Sequence, residues 1–141
     1  MHEITPCARF FADYERHIAE GNIDGLAAQF AETYLNGGPQ GCQILHSADL
    51  TAGLPRRRQL LNSLGCGPSR LVSLTEIPLG DRFVLAQTRW RFQVDGGAVE
   101  VESSFLLDIA EPVRIVAYIA HHDLVAVLKA RQQDSGIAQV S

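Results

Sequence analysis

A few polar side chains stand among apolar neighbours at positions where they could do acid–base chemistry. Tyr14 lies on the apolar stripe of a predicted first helix, where its phenol could donate a hydrogen bond to a substrate carbonyl or enolate. His121 ends a predicted strand and shares its parity with Ile115 and Ile119, so we expect it to point to the apolar side. An imidazole at that place suits a general acid or base near neutral pH.

Each of these residues also has a structural interpretation. Tyr14 could be a core tyrosine whose hydroxyl bonds to the backbone or reaches solvent, and His121 could be a hydrogen-bonded histidine beside the final helix. His46, at the end of a short predicted strand, is a weaker acid–base candidate that could equally be structural or exposed. We expect His122 to face away from the side that His121 faces, and Asp123 to cap the final helix.

The expected ligand pocket is lined by side chains of the first helix and of a central hairpin. They are Phe10, Phe11, Thr88, Trp90, Phe92, Ser103 and Phe105. As packing residues alone, the aromatic members would need no ligand. The run Arg56-Arg57-Arg58 could attract a phosphate or a carboxylate, but three consecutive residues spread over different faces of a helix, which is typical of a solvated surface.

The spacing of cysteines and histidines argues against a metal site or a disulfide framework. Cys7, Cys42 and Cys66 form no Cys-x-x-Cys pair, and an odd number of cysteines favours buried or half-buried free thiols. None of the five histidines forms a metal-binding pair on a helix. The sequence also shows no phosphate loop or nucleotide fingerprint, so we expect no metal and no cofactor.

Length and charge narrow the classes of function. The chain has 141 residues, 46% of them hydrophobic, and a formal net charge of −4. This length predicts one domain over 1–141, with an ordered core at 5–132 and a flexible tail at 133–141. The acidic balance argues against nucleic acid and anionic membranes. There is no apolar run of about 18 residues and no signal-peptide pattern at the start, so we expect a soluble, cytoplasmic protein.

Local signals divide the chain into a helical first part and a strand-rich second part. We predict a helix capped by Thr5 and ended by Gly21, a second helix that Asn22 caps, and a loop at 36–39. The remaining predicted elements are a strand at Cys42–His46, a helix at Thr51–Leu64, strands at Ser69–Leu79, Arg82–Val94, Ala98–Ile109 and Val113–Ala120, and a helix at Asp123–Gln132. Because the connections between the four long strands are too short for crossover helices, these strands must be antiparallel.

The hairpin between the second and third long strands can be tested for register. A two-residue loop, at Asp95-Gly96 or Gly96-Gly97, sets Trp90 and Phe92 opposite valines. The same register places Arg89 and Arg91 opposite Glu102 and Glu100, whereas a three-residue loop would set Trp90 against a glutamate. The pattern therefore predicts one apolar sheet face and one face with a ladder of Arg, Gln and Glu.

The chain resembles the nuclear transport factor two-like superfamily, particularly its SnoaL-like and ketosteroid-isomerase-like members. The resemblance runs from Phe10 to Leu128 and includes the segment GNIDGLA at 21–27. It also includes the ending VRIVAYIAHHDL at 113–124, in which an Asp starts the final helix eight residues after an Ile. Two features depart from the family: His121 stands where an aromatic residue is common, and Asn36-Gly37-Gly38 lies near the place of an Asp base in ketosteroid isomerases.

The resemblance implies an α+β fold in which N-terminal helices pack on the concave face of a cone-shaped, curved antiparallel sheet, a cystatin-like or SnoaL-like roll. It also implies an apolar pocket for a small molecule and a homodimer that forms through the sheet. One hypothesis is a cofactor-independent isomerase, dehydratase or cyclase, which requires Tyr14, Trp90 and His121 to converge on one cavity. The alternative is a non-catalytic ligand-binding or dimerisation module, favoured by the shortage of acidic groups on the apolar faces.

Overall fold

Four helices and six strands follow one another in the computed structural model, which describes the backbone of residues 5–140 and the side chains of residues 5–133. The helices are α1 (Pro6–Glu20), α2 (Ile23–Ala28), α3 (Leu50–Ser63) and α4 (Leu124–Val140). The strands are β1 (Phe30–Gly38), β2 (Gly41–His46), β3 (Cys66–Leu79), β4 (Phe83–Val94), β5 (Gly97–Asp108) and β6 (Arg114–Ala120).

The ends of the first helices follow the predicted caps. The Thr5 hydroxyl accepts a hydrogen bond from the Ala8 amide at 3.0 Å, and α1 ends at Gly21, which has a left-handed φ of 67°. The Asn22 side chain caps α2. The predicted extent of α2 is wrong, however, because the chain becomes strand β1 at Phe30 and the turn comes only at Pro39-Gln40. Pairing of β1 with two neighbouring strands outweighs its local helical pattern.

The strands form one curved sheet in the order β2-β1-β6-β5-β4-β3. The four long strands pair antiparallel, as predicted, while β1, which the sequence pattern did not reveal, lies parallel to β6. Helices cover one face, and the main core cluster forms between that face and α1. This arrangement confirms the predicted α+β class and its curved sheet.

The hairpin of β4 and β5 has the predicted two-residue loop, since Val94 pairs with Gly97. Trp90 lies opposite Val101 on the inner face, which is the face that the helices cover. On the outer face, Arg89 pairs with Glu102 and Arg91 with Glu100. The inner face is therefore apolar and the outer face of this hairpin carries the charged ladder.

Strand β6 contains a bulge that changes which residues face the helices. Leu106 pairs with Ala117 and Leu107 pairs with Ile115, so Val116 is an extra residue in the ladder. A single extra residue reverses the alternation of side chains beyond it. Ile115 is buried in the core, and after the bulge Tyr118, which pairs with Phe105, points inward.

Helix α3 packs on the core with part of its predicted apolar face. The sequence pattern predicts that Leu54, Leu60, Leu61 and Leu64 face the core; Leu61 and Leu64 do pack against a core cluster, Leu54 is half-buried, and Leu60 is 41% exposed. Asp123 caps α4 as predicted, by accepting a hydrogen bond from the Ala126 amide at 3.1 Å. The helical backbone continues beyond the predicted end at Gln132, and the flexibility of 133–141 stays a prediction.

Within residues 5–140, no helix has the length and apolar character needed to cross a membrane.

All three thiols are free, but they differ in access. Cys7 and Cys66 are buried, as expected, whereas Cys42 is exposed on β2. Burial, with a smaller effect of Glu76, raises the pKa of the Cys7 thiol to about 12, and burial also raises that of Cys66. The thiolate is the form that reacts.

We therefore expect iodoacetamide at neutral pH to label only Cys42 in the folded protein and all three cysteines in urea. Mass spectrometry of the intact chain counts the adducts, and a Cys42→Ser variant should stay unlabelled until it unfolds. Labelling of Cys66 as fast as that of Cys42 would contradict the burial of the Cys66 thiol.

Candidate functional site

A cavity of about 640 Å³, partly open to solvent, lies between the inner face of the sheet and the helices. This volume is within the usual range for sites that bind small molecules. Apolar side chains from α1 to α3 and from the sheet form much of its wall: Ile18, Ile23, Leu26, Phe30, Leu50, Leu54, Leu61, Trp90, Phe92, Val101 and Phe105. Of the residues that we predicted to line a pocket, Trp90, Phe92, Ser103 and Phe105 do so, together with Tyr14.

Three of the predicted lining residues instead support the cavity wall. Phe10 and Phe11 are buried in the core, where the ring of Phe11 packs edge-on against Trp90 and Phe105. Thr88 is buried on β4, and its hydroxyl accepts a hydrogen bond from the Trp90 indole N–H at 2.7 Å. The hydroxyl also lies 2.9 Å from the Ser103 carbonyl oxygen, to which it donates. These contacts hold the indole of Trp90 in one orientation against the cavity.

Three phenols from α1, β1 and β6 line the cavity, namely Tyr14, Tyr34 and Tyr118. The ring of Phe105 lies between two of them, with its centroid 5.6 Å from that of Tyr14 and 5.0 Å from that of Tyr118. Burial, followed by the nearby phenols of Tyr118 and Tyr34, raises the pKa of Tyr14 well above its usual range. Burial also raises the pKa of the other two tyrosines.

These phenols are therefore neutral hydrogen-bond donors at any ordinary pH. Among the residues that the structure describes, none accepts a hydrogen bond from them, and their oxygen atoms are not sealed from the cavity. A neutral donor held in an apolar site is suited to stabilise negative charge that develops on a ligand oxygen. Sequence reasoning reached Tyr14 and missed the other two, because Tyr34 lies on the unpredicted β1 and Tyr118 faces inward only because of the β6 bulge.

Charged and titratable groups lie at the rim of the cavity. They are Arg57 and Arg58 of α3, His17 of α1, and His122 and Asp123 after β6. The arginines are exposed, as expected of a solvated surface, although Arg57 and Arg58 also border the cavity. His122 faces away from His121, as predicted, but it is His122 and not His121 that lies on the inner side. The helix α3 lies over the cavity, so part of its polar face borders the cavity, and the β6 bulge brings His122 to the inner side.

Two of these rim groups, Asp123 and His17, already have hydrogen-bond partners. Asp123 caps α4 and accepts a second hydrogen bond from the Gln40 side chain at 2.9 Å. The His17 ring lies 3.2 Å from the Asn22 amide nitrogen. The His122 ring is exposed and has no hydrogen-bond partner within the described residues.

His121 does not line this cavity, so the expected convergence of Tyr14, Trp90 and His121 is wrong. Because of the bulge, His121 lies on the outer face, where its Nε2 is 2.8 Å from the Ser104 hydroxyl and its Nδ1 is 3.6 Å from Glu102. This order of groups resembles a serine–histidine–carboxylate triad. Glu102 is already held by Arg89, however, and Ser104 lies on a strand paired on both sides, which leaves no free backbone amides for an oxyanion. Ser104, His121 and Glu102 are therefore not a catalytic triad but a continuation of the charged ladder on the outer face of the sheet.

His46, the weaker candidate, is exposed on β2 and lies 3.4 Å from the Thr33 hydroxyl. It is not among the residues that line the cavity. In the described part of the chain, no group of three His, Cys, Asp or Glu side chains is placed to hold a metal ion. The structure therefore brings Tyr14, but neither predicted histidine, to the cavity.

Comparison with solved structures shows which fold the chain has. A protein of unknown function from Shewanella oneidensis MR-1, described as NTF-2-like, superposes with a TM-score of 0.69 over 83% of this chain and 97% of its own, at 9% identity. The chain has the NTF2-like fold. A cystatin-like protein of unknown function from Nostoc punctiforme PCC 73102 matches 86% of this NTF2-like chain and 96% of its own, with a TM-score of 0.62 and 13% identity.

A third match carries a name for an activity. It is a candidate polyketide cyclase from Xanthomonas campestris pv. campestris, with a TM-score of 0.58 and 15% identity, over 88% of this NTF2-like chain and 95% of its own. Identities this low show a shared fold alone. Neither a protein-family model nor a curated protein matches the sequence.

Proposed function

We propose that this NTF2-like protein binds a small, mostly apolar carbonyl compound in the cavity and promotes its enolisation without a cofactor. Isomerases, dehydratases and cyclases that act by acid–base chemistry share this step. The observation that carries the proposal is that Tyr14, Tyr34 and Tyr118 line one largely apolar cavity, while their hydroxyls have no acceptor among the described residues and are not fully buried. The solved candidate polyketide cyclase of the same fold supports this class of chemistry.

The chemistry needs a group that removes a proton from the carbon beside the carbonyl. His122 is the cavity-lining base without a partner in the described residues, whereas Asp123 is engaged by Gln40 and by the start of α4. When the imidazole takes the proton, the C–H electron pair becomes the C=C bond of the enolate. The carbonyl electron pair moves to the oxygen, which the phenols stabilise by hydrogen bonds.

Deuterium exchange of a simple ketone tests this proposal. The probe is 2-acetonaphthone in D₂O, and NMR follows the incorporation of deuterium into its methyl group. We expect the protein to accelerate exchange, and Tyr14→Phe and His122→Gln each to lower the rate by about 10²-fold. His121→Gln is the matched control, because His121 lies next in the chain on the opposite sheet face, and it should exchange at the wild-type rate.

The control ligand is 2-ethylnaphthalene, which has the same ring but no carbonyl. If the ketone binds without exchange, the alternative function as a non-catalytic ligand-binding module replaces this proposal. If neither compound binds, the cavity is not a site for apolar aromatic compounds and the proposal fails. The expected homodimer through the sheet and the cytoplasmic location stay predictions.

A further inference from the structure

We propose that the ligand of this cavity is an apolar acid, whose carboxylate Arg57 binds at the rim while the apolar body lies among the aromatic side chains. The inference rests on the proposed function, since it specifies the class of molecule that enters the same cavity. Arg57 would be a second recognition element, on a different side of the cavity from the three phenols.

The position of Arg57 supports this assignment. Its helix, α3, lies over the cavity, and Arg57 lines it together with Leu54 and Leu61 of the same helix. Burial raises the pKa of the Cys66 thiol of β3 and of the Tyr118 phenol of β6, and the positive charge of Arg57 opposes part of this rise. Arg57, Cys66 and Tyr118 all line the same cavity, so the guanidinium lies on the side of the cavity where it can act on charge within it.

Arg57 also lacks a counter-charge of its own. Four other arginines form ion pairs with carboxylates: Arg16, Arg82, Arg89 and Arg91. Within the described side chains, Arg57 forms none. A planar guanidinium matches a carboxylate with two parallel hydrogen bonds, which gives both orientation and affinity.

The neighbouring Arg58 is placed differently. A methyl group added at Gly21 would lie 2.5 Å from its guanidinium, so Arg58 rests against the C-terminal end of α1. The carbonyl groups at that end of a helix carry partial negative charge, which favours a cation there. Arg58 thus has a structural role available, whereas Arg57 faces the cavity without one.

The remaining charges at the rim leave room for an anion. Asp123 is the carboxylate at this rim, and it is held by Gln40 and by the first turn of α4. The other lining carboxylate, Glu102, is paired with Arg89 on the outer face. Arg57 itself is exposed at the rim, where the carboxylate of an acid seated in the cavity would reach it.

A matched pair of probes tests the inference. These are 2-naphthoate and its neutral amide, 2-naphthamide, which have nearly the same shape, and isothermal titration calorimetry gives the dissociation constant of each. We expect the wild-type protein to bind the carboxylate about tenfold more tightly than the amide, as for one charge-assisted interaction. Arg57→Gln should abolish this preference, and Arg57→Lys should restore part of it.

Arg56→Gln is the control, because Arg56 has the same charge on the same helix and is not among the lining residues. It should keep the wild-type preference, which separates direct binding from a change in net charge. If both probes bind equally to the wild type, or if Arg57→Gln keeps the preference, this inference is overturned while the proposed cavity function stands. If neither probe binds, both fail together.

Discussion

Replacing Phe11 with alanine should lower the free energy of unfolding by about 3–5 kcal/mol, the usual cost of truncating a buried aromatic residue. The side chain is 0% exposed, and its ring centroid lies 5.3 Å from Phe10, 5.0 Å from Phe105 and 6.4 Å from Trp90. Its loss leaves a void beneath the cavity, where α1 meets the sheet. Urea denaturation followed by circular dichroism measures the change.

Leu79→Ala is the control, because Leu79 is 47% exposed at the end of β3. This change should cost no more than about 0.5 kcal/mol. If Phe11→Ala also costs less than about 1 kcal/mol, then α1 does not depend on this aromatic contact, and the core described above is wrong at its centre.

Thr88→Val should cost about 1–3 kcal/mol, although it keeps the shape of the side chain almost unchanged. The hydroxyl accepts the Trp90 indole N–H at 2.7 Å and donates to the Ser103 carbonyl oxygen at 2.9 Å. Valine would leave the indole N–H without a partner in a buried position, and a buried unpaired donor is costly. Urea denaturation again gives the free energy.

Thr75→Val is the matched control for this prediction, since Thr75 is exposed on the outer face of β3. It should change stability by no more than about 0.5 kcal/mol. Trp90 is the one tryptophan in the sequence, so its fluorescence reports on the same hydrogen bond. Equal losses in the two variants, with unchanged Trp90 emission, would show that Thr88 does not hold the indole.

Elements with strong local signals could be predicted from the sequence. The caps of α1 at Thr5 and Gly21 depend on neighbouring residues only, and the β4–β5 register follows from its two-residue loop. Strand β1 could not be predicted in this way. Its conformation is stabilised by hydrogen bonds to β2 and β6, and β6 lies far away in the chain.

The candidate site could be predicted only in part, because local periodicity places some of its residues and long-range strand pairing places others. Tyr14 and Trp90 follow the regular periodicity of a helix and of a strand, and both line the cavity. Arg57 was named only as one of three arginines that could attract a carboxylate, because the run does not show which member borders the cavity. His121 was misplaced because strand parity was counted through Val116, where the pairing with β5 skips one residue.

The extra residue at Val116 sets the phase of everything that follows it in β6. If the same residues paired with β5 without this bulge, Ile119 and His121 would lie on the side that Tyr118 now occupies. The chemical character of this part of the cavity therefore depends on the pairing register of β6 as well as on residue identity. In a lineage with this fold, the gain or loss of such a bulge would turn a phenol away from the cavity and an imidazole toward it.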